Sequence, residues 1–275
     1  MRVTTATEPA RPDRDNEDFV AASTNTIVLL DGVGTPVGSD AGCRHGVAWY
    51  SRHLGTSVLN LATDAPEIPL VDVLELGIER VADLHRHSCD LSHPGSPSAT
   101  VIIARQNAGD LDYLVLADSV LLLESGGQTR SICDDREAQV GQHHRAAMDA
   151  LPSGSPAHVD AHRQYVETLR SYRNRPGGFW VASSDPSAAR ESIVGKEPLD
   201  PLTAVVLLSD GASRLVDRFE LATWSATVDL ARTDGPSAII DRVRDAERSD
   251  PDGLRWPRGK TYDDATAAFA VPLPI

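Results

Sequence analysis

The apolar positions of this chain fall into runs that strands and helices explain differently. Thr26 to Leu30 is unbroken and stops at Asp31-Gly32. That reads as a buried strand ending in a tight turn, with a carboxylate at the strand's mouth. The pattern returns at 204–209, which leads into Asp210-Gly211 and a short helix, and more weakly at 113–117 before Asp118. Acidic pairs also stand at Glu17-Asp18 and at Asp263-Asp264, the latter just before a final apolar strand at 266–271. Carboxylates placed repeatedly at strand ends suggest one oxygen-rich site assembled from distant parts of the chain. Such a site repels itself unless cations occupy it.

Between these strands the period changes. Val47, Tyr50, Leu54, Val58 and Leu61 recur at helical spacing and predict a helix over 43–61, after a Gly/Ser loop that runs through Gly42. Pro66 and Pro69 punctuate, and Val71, Leu74, Ile78 and Val81 predict a second helix over 71–84. Two consecutive helices tell against a simple alternating parallel sheet. After a Pro/Gly break at 94–97, strands at 99–104, 111–117, 120–124 and 129–132 lie so close together that antiparallel hairpins must join them. The stretch 136–172 is polar and helical with a break at 152–156, a brief strand follows at 179–182, and helices cover 219–230 and 236–246. The polar stretch 3–19, with two prolines, reads as a loose strand followed by loop, and 1–13 as a loose N-terminal segment. No repeat or linker divides the chain, so 1–275 is expected to be one domain.

Composition narrows the function. The 275 residues are 41% hydrophobic and 24% charged, which is enough for a real core and ordinary for a folded domain. A formal charge of −14 argues against sequence-independent nucleic-acid binding, which needs a basic face. No run approaches the ~20 apolar residues of a membrane span. Cys43, Cys89 and Cys133 are an odd number with no C-x-x-C pair, and no signal peptide precedes them, so a reducing cytoplasm is expected. His45, His85-x-His87 and His143-His144 read as surface histidines.

Six short motifs, in order, resemble those of the metal-dependent protein phosphatases, the type 2C serine/threonine phosphatases. They are Asn16-Glu17-Asp18, Val28-Leu-Leu-Asp31-Gly32-Val-Gly34, Ser98-Ala-Thr100, Leu116-Ala-Asp118-Ser119, Leu207-Leu-Ser209-Asp210-Gly211 and Asp263-Asp264-Ala-Thr266. The resemblance implies an α+β fold, a four-layer α-β-β-α sandwich of two antiparallel sheets flanked by helices. It implies two Mg²⁺ or Mn²⁺ ions, with Asp31 bridging them, the Gly32 carbonyl on one, and Asp210 and Asp263 on the other. Asp18 would act directly or through water, and Asp118 would help to hold a weak third ion. Asp263 and Asp264 compete for one ligand role, and the motif register favours Asp263. Oxygen ligands without His or Cys suit these hard cations.

Departures from the pattern are informative. The family's phosphate-binding arginine falls on Asp13, which leaves Arg14, one step later, as the candidate. A carboxylate that supports the third ion is replaced by Arg214, whose guanidinium is expected near Asp118 and Asp210. The implied activity is hydrolysis of phosphoserine and phosphothreonine in proteins by a metal-activated water, with Asp31 and Asp210 central. The alternatives are a phosphorylated small molecule as substrate, or a degenerate phosphatase fold that binds a partner.

Overall fold

Both faces of the strand at Thr26–Leu30 are buried, and each face belongs to a different core. This is why its apolar run is unbroken: alternate side chains serve alternate layers. Ile27 and Leu29 meet Ile102, Val115, Leu121, Val205 and Leu207 between two sheets. Val28 and Leu30 meet Tyr50, Leu54, Leu74 and Ile78 under a helical layer.

The computed structural model describes residues 1–34 and 42–273. In chain order its first half comprises β1 (Arg2–Glu8), β2 (Phe19–Ala22), β3 (Thr26–Leu30), β4 (Gly32–Val33), α1 (Val47–Asp64), α2 (Leu70–His85), β5 (Ser98–Ala99), β6 (Val101–Asn107) and β7 (Asp110–Leu116). Next come β8 (Val120–Ser125), β9 (Gln128–Ile132), α3 (Arg136–Asp149) and α4 (Pro156–Tyr172). The last part holds β10 (Ile193–Pro198), β11 (Leu202–Leu208), α5 (Asp210–Asp217), α6 (Trp224–Thr233), α7 (Pro236–Ser249) and β12 (Ala265–Val271). Two five-stranded sheets form, in the orders β1-β12-β11-β8-β9 and β10-β7-β6-β3-β2, and all their pairings are antiparallel. α1 and α2 cover the second sheet, and α5, α6 and α7 cover the first. The four-layer sandwich is therefore as the motifs imply. Among the described residues no helix is long and apolar enough to cross a membrane.

Strand register brings the acids to one end. Phe19 pairs with Leu30, which sets Asp18 beside Asp31 at the mouth of β3. Leu29 pairs with Ile102 and Val101 with Leu116, so Asp118, two residues past β7, lies at the same end. In the other sheet Leu208 pairs with both Val120 and Ala267, placing Asp210 and Asp263 beside the same loops.

Several expectations need correction. Residues 1–13 are not a loose segment throughout, because Arg2–Glu8 pairs along its full length with β12, from Arg2↔Val271 to Glu8↔Ala265. Its Thr-rich sequence suits an edge strand with one wet face, so the apolar alternation that marks half-buried strands is weak. The strand at 179–182 reduces to isolated bridges, and β10 joins the edge of the second sheet unforeseen. The helix expected from 43 begins only at Val47, after Gly46 at φ 79, so Cys43 and His45 stand in the preceding loop. That loop's stretch 35–41 lies outside the described residues. α6 begins at Trp224 because the Thr223 hydroxyl caps it, accepting from the Ala226 amide at 3.2 Å. His85, expected on the surface, closes α2 and is buried.

Candidate active site

Asp31 is the most constrained of the acids. Its amide donates to the Thr100 hydroxyl at 3.2 Å, and its carbonyl accepts from the Thr100 amide at 2.9 Å. The same hydroxyl lies 2.6 Å from that of Ser119, so strand ends from three segments are tied together. The Asp31 carboxylate accepts from the Asp210 amide at 3.0 Å, at the N-terminus of α5, where free amides and the helix dipole favour negative charge. Even so, burial pushes the Asp31 carboxyl well above its ordinary range, and the charges of Asp210, Asp18, Asp263 and Asp118 push the same way.

Asp18 is more exceptional. Both of its carboxylate oxygens are buried and have no hydrogen-bond partner. Burial raises its carboxyl to about 7, although the Thr266 and Ser209 hydroxyls nearby favour the charged form. Asp118 follows Ala117, which adopts φ 69, and is raised by burial and then by Glu137. Glu137, in the first turn of α3, is itself raised by burial and then by Asp210. Sequence reasoning missed Glu137. It reaches the site from a polar helix, and an acid in a first helical turn is otherwise ordinary.

The two glycines of the Asp-Gly pairs are demanded by packing. A Cβ on Gly211 would lie 1.9 Å from the Asp264 carbonyl oxygen. One on Gly32 would lie 2.4 Å from the Glu17 carbonyl oxygen and 2.5 Å from Val47 Cγ1. Each Asp can therefore stand against a neighbouring chain segment only because no side chain follows it.

The final acidic pair divides its labour. Asp264 accepts from the Ala10 amide at 2.6 Å and the Glu17 amide at 2.7 Å, so it braces the N-terminal loop that carries Asp18. Asp263 faces side-chain cations, with Lys260 Nζ 2.8 Å from one oxygen and Arg214 Nη2 2.8 Å from the other. Burial alone would raise the Asp263 carboxyl, but Lys260 and Arg214 hold it below its ordinary value. Lys260 is a second site-adjacent group that sequence reasoning passed over.

The profile of the family described as protein phosphatase 2C matches residues 10–241. The chain belongs to that family. The family is one of phosphoric monoester hydrolases. The serine/threonine phosphatase PstP/Ppp of Mycobacterium tuberculosis superposes with a TM-score of 0.58 at 15% identity, covering 98% of this chain and 97% of that one. Stp1 of Staphylococcus aureus gives 0.57 at 13% identity, covering 99% and 95%. The catalytic domain of PstP in complex with two manganese ions gives 0.56 at 16% identity, covering 98% and 97%. No curated protein sequence matches the chain significantly.

The departures from the type 2C pattern can now be placed. Arg14 is exposed on a turn closed by its amide to the Arg11 carbonyl at 3.2 Å, and its charge reaches Glu17. Arg214 does point inward and is 9% exposed; its hydrogen bonds go to Asp263 and to Glu247, 2.9 Å away, and the Asp210 charge reaches it without a hydrogen bond. The donor set itself fits a hard divalent cation: oxygens only, two of them orphaned on Asp18, and several carboxyls that only added positive charge would return to the charged form.

Proposed function

We propose that this type 2C phosphatase removes phosphate from phosphoserine and phosphothreonine in proteins, using two Mg²⁺ or Mn²⁺ ions. Asp18, Asp31, the Gly32 carbonyl, Asp210 and Asp263 would hold them, with Asp118 available to a weaker third. The observation that carries this reading is the orphaned, buried carboxylate of Asp18 beside the raised Asp31. Divalent cations there would acidify water for attack on phosphorus and neutralise phosphate charge.

The chain's own residues do the rest. The Asp210 amide fixes the Asp31 carboxylate, and the Thr100–Ser119 hydroxyl pair fixes the backbone on which Asp31 stands. Asp264 braces the loop that presents Asp18. Arg14, at the edge of that loop, pairs with the incoming phosphate. Lys260, whose side chain is 56% exposed, neutralises Asp263 and can swing into solvent when that carboxylate takes a metal.

One observation favours a second reading, a phosphatase fold that binds partners without chemistry: both oxygens of Asp263 are already paired with side-chain cations. Assay of the purified protein with an aryl phosphate and with phosphoserine and phosphothreonine peptides separates the readings. Mn²⁺-dependent hydrolysis of both substrates, abolished by EDTA and by Asp31→Asn, is the expected result. Hydrolysis of phosphorylated small molecules alone overturns the protein substrate. Absence of turnover in saturating Mn²⁺ leaves the binding module.

A further inference from the structure

A second cluster of metal-ligating side chains lies away from the carboxylates. Cys43 and His45 stand in the loop that enters α1, His85 ends α2, and Cys89 follows in the next loop. Cys43 Sγ lies 3.6 Å from His45 Nδ1 and 3.5 Å from His85 Nδ1. Cys89 Sγ lies 3.2 Å from Cys43 Sγ and 3.3 Å from His45 Nδ1. All four ligand atoms fall within 4.8 Å of one another. Zinc bound tetrahedrally, with Zn–S about 2.3 Å and Zn–N about 2.0–2.1 Å, sets neighbouring ligand atoms about 3.3–3.8 Å apart. The four side chains are already close to that spacing.

We propose that Cys43, His45, His85 and Cys89 bind one zinc ion in a closed structural site. Two thiols and two imidazoles saturate a tetrahedral ion and leave no open position for substrate, as structural zinc sites do. Binding releases the two thiol protons to solvent, and two thiolates then balance the dication inside the fold. The sulfur and nitrogen donors also separate this site from the acidic centre, whose oxygens select harder cations. Both cysteines are free thiols, and no catalytic role already described uses them.

The surroundings are those of a built site. His85 is 3% exposed. Trp49 stacks on His45 with ring centroids 4.4 Å apart and tilts against His85 at 5.1 Å, so one indole packs on both imidazoles, while His45 and the two cysteines stay half-buried. The Asp90 amide donates to the Gly42 carbonyl at 2.8 Å and joins the two ligand-bearing loops independently of any ion. A zinc there would pin the start of α1 to the end of α2. Val47, two residues after His45, is the side chain that packs against Gly32 and Gly34. Holding α1 at this point therefore steadies the turn that carries Asp31.

The test uses the full chain. Protein purified without chelator is expected to carry about one zinc per chain by elemental analysis, retained in buffers that contain only Mg²⁺. Stripped, reduced protein titrated with Co²⁺ should develop tetrahedral ligand-field bands and a thiolate-to-cobalt charge-transfer band, and Zn²⁺ should abolish both. Cys89→Ser should lose the zinc and the charge-transfer intensity, and unfold at lower temperature than the loaded wild type. The cobalt titration is made on wild-type protein, so it decides the matter even if the variant misfolds. Wild-type protein that neither holds zinc nor gives the thiolate band would overturn the proposal, as would a Cys43–Cys89 disulfide in the freshly purified chain. Mn²⁺-dependent aryl phosphatase activity of the unperturbed wild type, followed in parallel, reports on the carboxylate centre, and the cobalt bands report on the cysteine–histidine site, so either reading can fail without the other.

Discussion

Replacing Asp18 by asparagine should make the metal-free protein more stable, and by an amount that depends on pH. The Asp18 carboxyl is raised from 3.8 to about 7 in the fold, chiefly by burial. Below about 3.8 it is protonated in both the folded and the unfolded chain and costs nothing. Between that value and about 7 the unfolded chain releases its proton while the folded chain keeps it. The unfolded state is therefore favoured as pH rises, by about 1.36 kcal/mol per pH unit. Over the whole window this group removes about 4 kcal/mol, and above the folded value the loss is complete. From pH 5 to pH 7.5 its share is about 2–3 kcal/mol. Asparagine carries no charge at either pH, and any cost of burying its amide cancels in the comparison.

The assay is urea unfolding in EDTA of wild type and Asp18→Asn at those two pH values. The variant's advantage over wild type should grow by about 2–3 kcal/mol at the higher pH. Saturating Mn²⁺ should reverse the order, because the cation stabilises only the wild-type carboxylate. An advantage of equal size at both pH values would show that Asp18 stays ionised in the metal-free fold, and would remove the argument that its orphaned oxygens await a cation.

Other substitutions address single groups. Arg14→Ala should raise KM for phosphopeptide several-fold and leave Mn²⁺ affinity unchanged; an unaltered KM would assign phosphate binding elsewhere. Lys260→Ala removes the cation from one oxygen of Asp263, so half-maximal activation should shift to lower Mn²⁺ concentration, and an unshifted activation curve would mean that Asp263 takes no metal. Asp31→Asn should lose nearly all turnover while its metal-free form unfolds no earlier than wild type, which differential scanning calorimetry with EDTA would show.

What could be read from the sequence was what local pattern encodes. The run ending at Asp31 announces a strand and a turn by itself, and the order of six short motifs supplied the rest of the acidic centre. Glu137 and Lys260 were not legible, since each reaches the site from a polar segment whose position is set by distant packing. β1 reads from the sequence only as a loose strand, because an edge strand with one wet face shows little hydrophobic alternation. The cysteine–histidine cluster is not legible locally, because no single helix face and no C-x-x-C carries its ligands. Its ligands come as two close pairs, Cys43-x-His45 and His85-x-x-x-Cys89, forty residues apart from His45 to His85, and tertiary packing joins them. The paired spacing was the usable signal.

Charge is distributed unevenly across the acidic centre, and the unevenness follows the two sheets. Beside β12, Asp263 is clamped by Arg214 and Lys260. Arg214 also binds Glu247, which is fully buried and shared with Arg244 at 2.8 Å, and Arg244 in turn reaches the Asp263 carbonyl. Anions and cations alternate there, so each buried charge has a partner and the network can persist without any ion. Beside β2 and β3 the arrangement is the opposite. Asp31 has one helix amide, Asp18 has no cation and only the Thr266 and Ser209 hydroxyls nearby, and both carboxyls are raised while that of Asp263 is lowered. A fold selected only for stability would place apolar residues at such positions, because an unpaired buried carboxyl costs several kcal/mol. The demand for external positive charge therefore falls on Asp18 and Asp31, while the opposite wall of the cleft supplies its own. Arg214 accordingly serves as a fixed counter-charge within that wall, away from the carboxylates that lack partners.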